Sequence, residues 1–205
     1  MRSILAPPLG PAVPVWKGRW LLRTLGRWVV RLSGWRVTGE FPNIPKAVVI
    51  AAPHSSAWDG VIGISAASAL NLRPTWMGKD ALFGPGLGWL MRLFGGVPTD
   101  RSNPNGVVGQ TVEQFASSDQ LWVVLAPEGT RRRVQQWRSG FYHIAVGAGV
   151  PIVPVYFHYP EKTIGICEVF MPTGDMKADM QALYRIYEPW RGSKGKPAVS
   201  SPDAS

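Results

Sequence analysis

The sequence predicts a single-domain α/β fold: a mostly parallel central sheet flanked by helices, preceded by an N-terminal basic amphipathic helix. Three observations predict it. The chain has 205 residues, enough for one sizeable core and too few for two ordinary domains. Short apolar, β-branched runs alternate with longer helical stretches, the pattern of strand–helix–strand units. Between residues 15 and 33 arginine recurs every fourth position opposite a band of leucine, tryptophan and valine.

Residues 1–14 are Pro-rich and read as a flexible N-terminus. A helix is predicted over Val15–Ser33, ended by Gly34 as C-cap. Arg19, Arg23, Arg27 and Arg31 span an arc of about 120° at about 100° per residue. Leu21, Leu22, Leu25, Trp28, Val29 and Leu32 fall opposite. All charges in the arc are positive, whereas an ordinary solvated helix face mixes signs. The segment therefore reads as an interfacial helix, with packing of its apolar face on the core as the alternative.

Ala47–Ala52 reads as a buried strand ended by Pro53, and Asp59–Leu70 as a helix. Pro74–Met77 suggests a strand. Leu82–Phe94 is apolar and punctuated by Gly and Pro; it fits either an apolar platform or ordinary core. Val107–Ser117 reads as a helix, Leu121–Leu125 as a strand, Ser139–Gly147 as a helix, Ile152–Phe157 and Ile164–Phe170 as strands, and Asp175–Tyr187 as the last helix. The main domain is thus expected over residues 35–190. Residues 191–205, rich in Gly, Ser, Pro and Lys, read as a loose tail.

Composition narrows the function. Hydrophobic residues make up 45% and charged residues 17%, which excludes a disordered chain. The net charge of +9 favours an anionic partner, and ten tryptophans suit a lipid interface better than a nucleic-acid groove. No nucleic-acid-binding motif is present, so nucleic acid is not an expected partner. The single cysteine, Cys167, excludes an internal disulfide and a cysteine zinc site. No zinc-binding His-Glu-x-x-His, Walker phosphate loop or dinucleotide fingerprint occurs, and neither a metal nor a cofactor is expected. The longest stretch free of charge, Ser139–Pro160, is broken by Gly147, Gly149, Pro151 and Pro154, so it does not read as a membrane span. The N-terminus lacks a continuous apolar core of the signal-peptide kind. The protein is expected at the cytoplasmic face of the membrane.

The sharpest local feature is Pro53-His54-Ser55-Ser56-Ala57-Trp58-Asp59. A histidine follows a buried-type strand and an aspartate follows five positions later. A carboxylate at the start of the next helix can turn back to one ring nitrogen, leaving the other as a base for a hydroxyl proton. Spacing alone leaves a purely structural pair open. Three further segments follow strand-like runs: Gly95–Arg101, Ala126–Arg131 and Val150–Val155. Ligand sites in α/β sheets lie beyond the carboxyl ends of strands, which is where these cations would converge.

This ordered set resembles the glycerolipid acyltransferases, the 1-acylglycerol-3-phosphate and related lysophospholipid acyltransferases. The blocks are His54/Asp59, Gly96 to Arg101, Pro127-Glu128-Gly129-Thr130-Arg131, and Val150 to Pro154, in family order over about residues 45–160. Ala126 replaces the usual aromatic residue before the third block, and Arg132 and Arg133 extend its basic end. The resemblance implies His54 as general base and Asp59 as its orienting partner. It implies Lys79, Arg101 and Arg131 as cations for the acceptor phosphate, with Glu128, Gly129 and Thr130 shaping the acceptor site. Pro151 and Pro154 would belong to a strand near the acyl donor. The residues themselves leave Arg101 open as a surface ion-pair partner and Glu128 as a structural partner of an arginine. The reaction implied moves an acyl chain from acyl-CoA or acyl carrier protein to a lysophospholipid hydroxyl, in phospholipid biosynthesis at an anionic membrane surface. A basic peripheral lipid-binding protein without catalysis is the competing reading.

Overall fold

In the computed structural model, residues 9–86, 88–99, 104–130 and 134–198 are described. A seven-stranded sheet forms the centre. Its strands are β1 (Arg36–Thr38), β2 (Lys46–Ala52), β3 (Pro74–Lys79), β4 (Gly96–Thr99), β5 (Leu121–Leu125), β6 (Ile152–His158) and β7 (Thr163–Ile166), in the order β1-β7-β6-β2-β5-β3-β4. All neighbours are parallel except β6 and β7. The helices are α1 (Trp20–Ser33), α2 (Ala57–Leu70), α3 (Gly88–Leu93), α4 (Pro104–Ser117), α5 (Gly140–Ala148) and α6 (Met176–Tyr187). The mostly parallel α/β class is therefore as expected from sequence.

The apolar runs are continuous because the sheet is covered on both faces. Along β2 the side chains alternate between two cores. Ala47 and Val49 join Val30, Ile62, Ala66, Trp122 and Val153 beneath α1 and α2. Val48, Ile50 and Ala52 join Phe115, Phe141, Ile144 and Leu183 beneath α4, α5 and α6. Pro154 sits within β6, opposite Ile50 of β2, and brings no N–H to the ladder. The buried hydroxyl of Tyr187 fills that gap: it reaches the Ile50 carbonyl at 2.6 Å and accepts the Val155 N–H at 2.9 Å.

Helix α1 begins five residues later than the sequence suggests. Val15 instead bridges Leu72, and Arg19 is the N-cap residue. The Arg19 guanidinium donates to the Leu93 carbonyl and lies 3.6 Å over the Trp16 ring, so it leaves the arginine row. The helix ends at Gly34 in the left-handed conformation, as expected. It packs on α2 through Gly26, where an added Cβ would lie 2.5 Å from the Ser65 carbonyl oxygen and 2.8 Å from the Ala69 nitrogen. This close approach uses the side of α1 that holds Gly26 and Val30. Trp20, Leu21, Leu25, Trp28 and Leu32 remain 56–79% exposed, beside exposed Arg23, Arg27 and Arg31. The apolar arc of α1 is wider than the core needs. Among the described residues no helix is long and apolar enough to cross a membrane.

The described parts of both terminal segments are better anchored than their composition suggests, while residues 1–8 and 199–205 lie outside the described residues. Val13 is buried, and Pro14 accepts the Arg73 N–H at 2.9 Å. Near the other end, Ala198 is buried and accepts the Trp137 indole N–H at 3.1 Å. Residues 191–198 thus form a strap bound to the body, not a loose tail. Main-chain hydrogen bonds hold these segments, and composition does not report them.

The apolar stretch after β3 divides. Phe83 packs on Trp76 in the interior, with ring centroids 5.8 Å apart, while Leu82 and Trp89 are exposed. Leu87 lies outside the described residues.

Candidate functional site

Three adjacent parallel strands, β5, β2 and β6, each hand one residue to the same edge of the sheet. Their registers pair Ile50 with Leu125 and Ala52 with Tyr156. Glu128 then follows β5, His54 follows β2 and Tyr159 follows β6, all just beyond carboxyl ends, where α/β sheets place ligand sites.

After the cis Ala52–Pro53 peptide bond the chain turns into α2. Ser56 is the N-cap, with an extended backbone and a hydroxyl that accepts the Trp58 N–H at 3.2 Å. Asp59, in the first turn, closes a capping box by accepting the Ser56 N–H. Its Oδ2 takes the N–H groups of Ser56 and Ser55 at 2.7 and 2.6 Å, and its Oδ1 takes the phenol O–H of Tyr159. These donors and the helix N-terminus stabilise a carboxylate that is only 2% exposed.

The His54 Nδ1 lies 3.5 Å from Asp59 Oδ2, longer than an ordinary hydrogen bond. The imidazole is partly exposed, while its carboxylate partner is fully buried.

Glu128 supports the same loop from the other side. Both of its carboxylate oxygens accept the main-chain N–H of His54, at 2.7 and 3.0 Å. Burial pushes its pKa up to about 8; the His54 N–H opposes the rise and the Asp59 charge adds to it. The turn that carries Glu128 is closed by the Gly129 N–H donating to Ala126, at 3.0 Å, with Gly129 at φ +64°. A Cβ there would also fall 2.8 Å from the Arg138 side chain, which lies across the turn. Thr130 is exposed at its end.

The structure thus brings together His54, Asp59 and Glu128, with Gly129 and Thr130 beside them. The main chain of Lys79 ends β3 at the same edge of the sheet. Arg101, Arg131, Arg132 and Arg133 lie outside the described residues. Pro151 and Pro154 stand apart from the rest. Pro154 is buried within β6, and Pro151 precedes that strand, at the end of the sheet opposite His54.

Tyr159 and the 191–193 strap have no counterpart among the residues singled out from sequence. The Ser193 N–H donates to Ser55 Oγ at 2.7 Å, the Tyr159 N–H to the Arg191 carbonyl at 2.9 Å, and the Arg191 N–H to His158 Nδ1 at 3.2 Å. The strap therefore ties the loop after β2 to the end of β6. A polar residue just past the end of an apolar strand was the available signal for Tyr159, as it was for His54 and Glu128.

Residues 35–158 match the sequence model of the acyltransferase family. The chain is 29% identical over 131 residues to the 1-acyl-sn-glycerol-3-phosphate acyltransferase of Streptococcus pneumoniae, covering 63% of this chain and 48% of that protein. To the enzyme of that name from Haemophilus influenzae it is 28% identical over 170 residues, covering 72% of this chain and 69% of that protein. The match to the Escherichia coli protein is 35% over 83 residues, 38% of this chain and 34% of that one. The chain thus spans about half, or less, of the pneumococcal and E. coli relatives. Among solved structures it resembles the 1-acyl-sn-glycerophosphate acyltransferase of Thermotoga maritima, with a TM-score of 0.57, covering 84% of this chain and 81% of that one. At 18% identity that likeness concerns the fold. The matched interval contains every site residue singled out from sequence and stops one residue short of Tyr159.

Proposed function

Because this chain belongs to the acyltransferase family, we propose that it moves an acyl group from a thioester, acyl-CoA or acyl carrier protein, to the free hydroxyl of a lysophospholipid such as 1-acylglycerol-3-phosphate. The observation that carries the reading is the partly exposed His54 imidazole beside a buried, threefold hydrogen-bonded Asp59 at the carboxyl ends of three parallel strands. With Nδ1 turned to Asp59, Nε2 is the ring nitrogen that meets the acceptor hydroxyl in this reading. It takes the acceptor's hydroxyl proton as that oxygen bonds to the thioester carbonyl carbon. The tetrahedral oxyanion then collapses, the C–S bond breaks, and the leaving sulfur takes the proton from the imidazolium. Asp59 stabilises the imidazolium in between. Lys79, Arg101 and Arg131 bind the acceptor phosphate, as their counterparts in the family pattern would, and the fork of an arginine suits that ligand.

The substrate's location follows from the same reading. The exposed band of Trp20, Leu21, Leu25, Trp28 and Leu32, bordered by Arg23, Arg27 and Arg31, suits the surface of an anionic bilayer. We place the protein as a peripheral or monotopic protein at the cytoplasmic face of the membrane.

The test is release of free thiol from an acyl thioester mixed with lysophosphatidic acid and purified protein. His54→Ala should lower turnover by roughly 10²–10⁴-fold, the usual contribution of a general base, with its circular dichroism unchanged. Turnover by that variant at the wild-type rate would refute the assignment. Vesicle binding without any thiol release would favour the non-catalytic lipid-binding alternative.

A further inference from the structure

We propose that Tyr159 is a positioning residue of this site: its phenol O–H holds Oδ1 of Asp59, and so sets both the aim of that carboxylate at His54 and the pH at which the imidazole gives up its proton. The role rests on the acyl-transfer reading for its purpose, but not for its measurement.

The geometry separates the two carboxylate oxygens. Oδ2 is held by the Ser55 and Ser56 N–H groups, which belong to the same loop and cap as Asp59 itself. Oδ1 is held from elsewhere, by a side chain at the end of β6. A carboxylate pinned through one oxygen still rotates about that contact. Pinned through both, its plane is fixed relative to the sheet. Tyr159 is itself well located: its ring meets Trp35 edge-on, with centroids 5.0 Å apart at 89°, and its main-chain N–H donates to Arg191 at 2.9 Å. Burial, then its hydrogen bond to Asp59 and that carboxylate's charge, push its phenol up to about 12, so it remains a donor through the neutral range.

Among the described residues, two segments that support the pair also carry charged groups. Glu128, from the turn after β5, holds the His54 N–H and titrates near 8. Arg191, on the strap, turns its guanidinium to the Glu188 and Trp190 carbonyls. Both are present in any Tyr159 variant, so a comparison with wild type isolates the phenol.

Removing that O–H leaves the buried carboxylate one donor short. Its charge is then less neutralised and it holds the neighbouring imidazolium more strongly, raising the His54 titration midpoint. Orientation loosens at the same time. Around metal sites, losing an outer partner that orients a ligand costs about 10–100-fold in activity, and the low end of that order is expected here.

The experiment is an NMR titration of the His54 imidazole in the full chain, wild type against Tyr159→Phe, with the resonance identified by its loss in His54→Ala. The expected result is a midpoint about half a pH unit higher in Tyr159→Phe, in the direction set by weaker solvation of the carboxylate. Turnover should fall about tenfold, with KM for both substrates changed less than about twofold. A second variant keeps the packing: fluorotyrosine at position 159, a stronger donor of similar shape, should move the midpoint down. Equal midpoints in wild type and whichever variant folds would overturn the proposal, as would a loss confined to KM. If wild-type protein transfers no acyl group, the functional reading falls, while the titration still decides the role of Tyr159.

Discussion

The main-chain N–H of His54 is shared by both carboxylate oxygens of Glu128, 74 residues further along the chain. The contact fixes the backbone of the histidine, not its ring. A side chain from the turn after β5 thereby sets where the residue after β2 stands. It also puts a second carboxylate near Asp59, whose charge adds to the cost of ionising Glu128 in a buried setting.

That arrangement has a thermodynamic signature. The Glu128 pKa rises from an ordinary 4.5 to about 8 on folding. The folded state then holds a proton that the unfolded chain releases, so the contribution is complete below pH 4.5 and is lost as pH rises towards 8. Wild type should lose stability across this window, at up to about 1.4 kcal/mol per pH unit. Glu128→Gln should flatten the profile. Thermal melts of both proteins from pH 5 to 8 check this; parallel profiles would contradict it.

The exposed band on α1 yields a second expectation. Trp28 and Leu32 are 56% and 79% exposed, so charging them disturbs little inside the fold. Trp28→Glu combined with Leu32→Glu should leave the melting temperature within a few degrees and sharply reduce co-flotation with anionic phosphatidylglycerol vesicles. Undiminished flotation would count against α1 as the docking face.

Tyr187 supplies a third. Its hydroxyl bridges β2 and β6 where Pro154 leaves the ladder without a donor. Tyr187→Phe keeps the ring in the core but strands the Ile50 carbonyl and the Val155 N–H. The cost should be about 1–3 kcal/mol. Urea denaturation reads it directly; a change below about 0.5 kcal/mol would show that the sheet closes without the bridge.

Much of this molecule was legible in the chain because its signals are local. Leu121–Leu125 forms a strand over the residues expected, and Asp175 caps a helix that ends at Tyr187. His54 and Asp59 are five residues apart, and the strand before them and the helix after them bring them together. What escaped depends on distant contacts. Tyr159 meets Asp59 across 100 residues, and Ser193 meets Ser55 across 138. Neither pairing has a periodicity or a composition to announce it. Helix α1 was read five residues too long because its apolar and basic spacing continues into Val15 and Arg19, which tertiary contacts with Leu72 and Leu93 draw away. The breadth of its apolar arc showed in the sequence, but its division between Gly26 facing α2 and Trp28 facing outward did not.

That His54, Glu128 and Tyr159 come from neighbouring strands has a mechanical consequence. Their spacing is set chiefly by the ladder that joins β5, β2 and β6, because each residue lies within three positions of the end of its strand. If the proposed function holds, loops that meet different substrates can therefore diverge without shifting these three residues. A one-residue slip in any of the three strands would dismantle their arrangement, however well the rest of the chain packed.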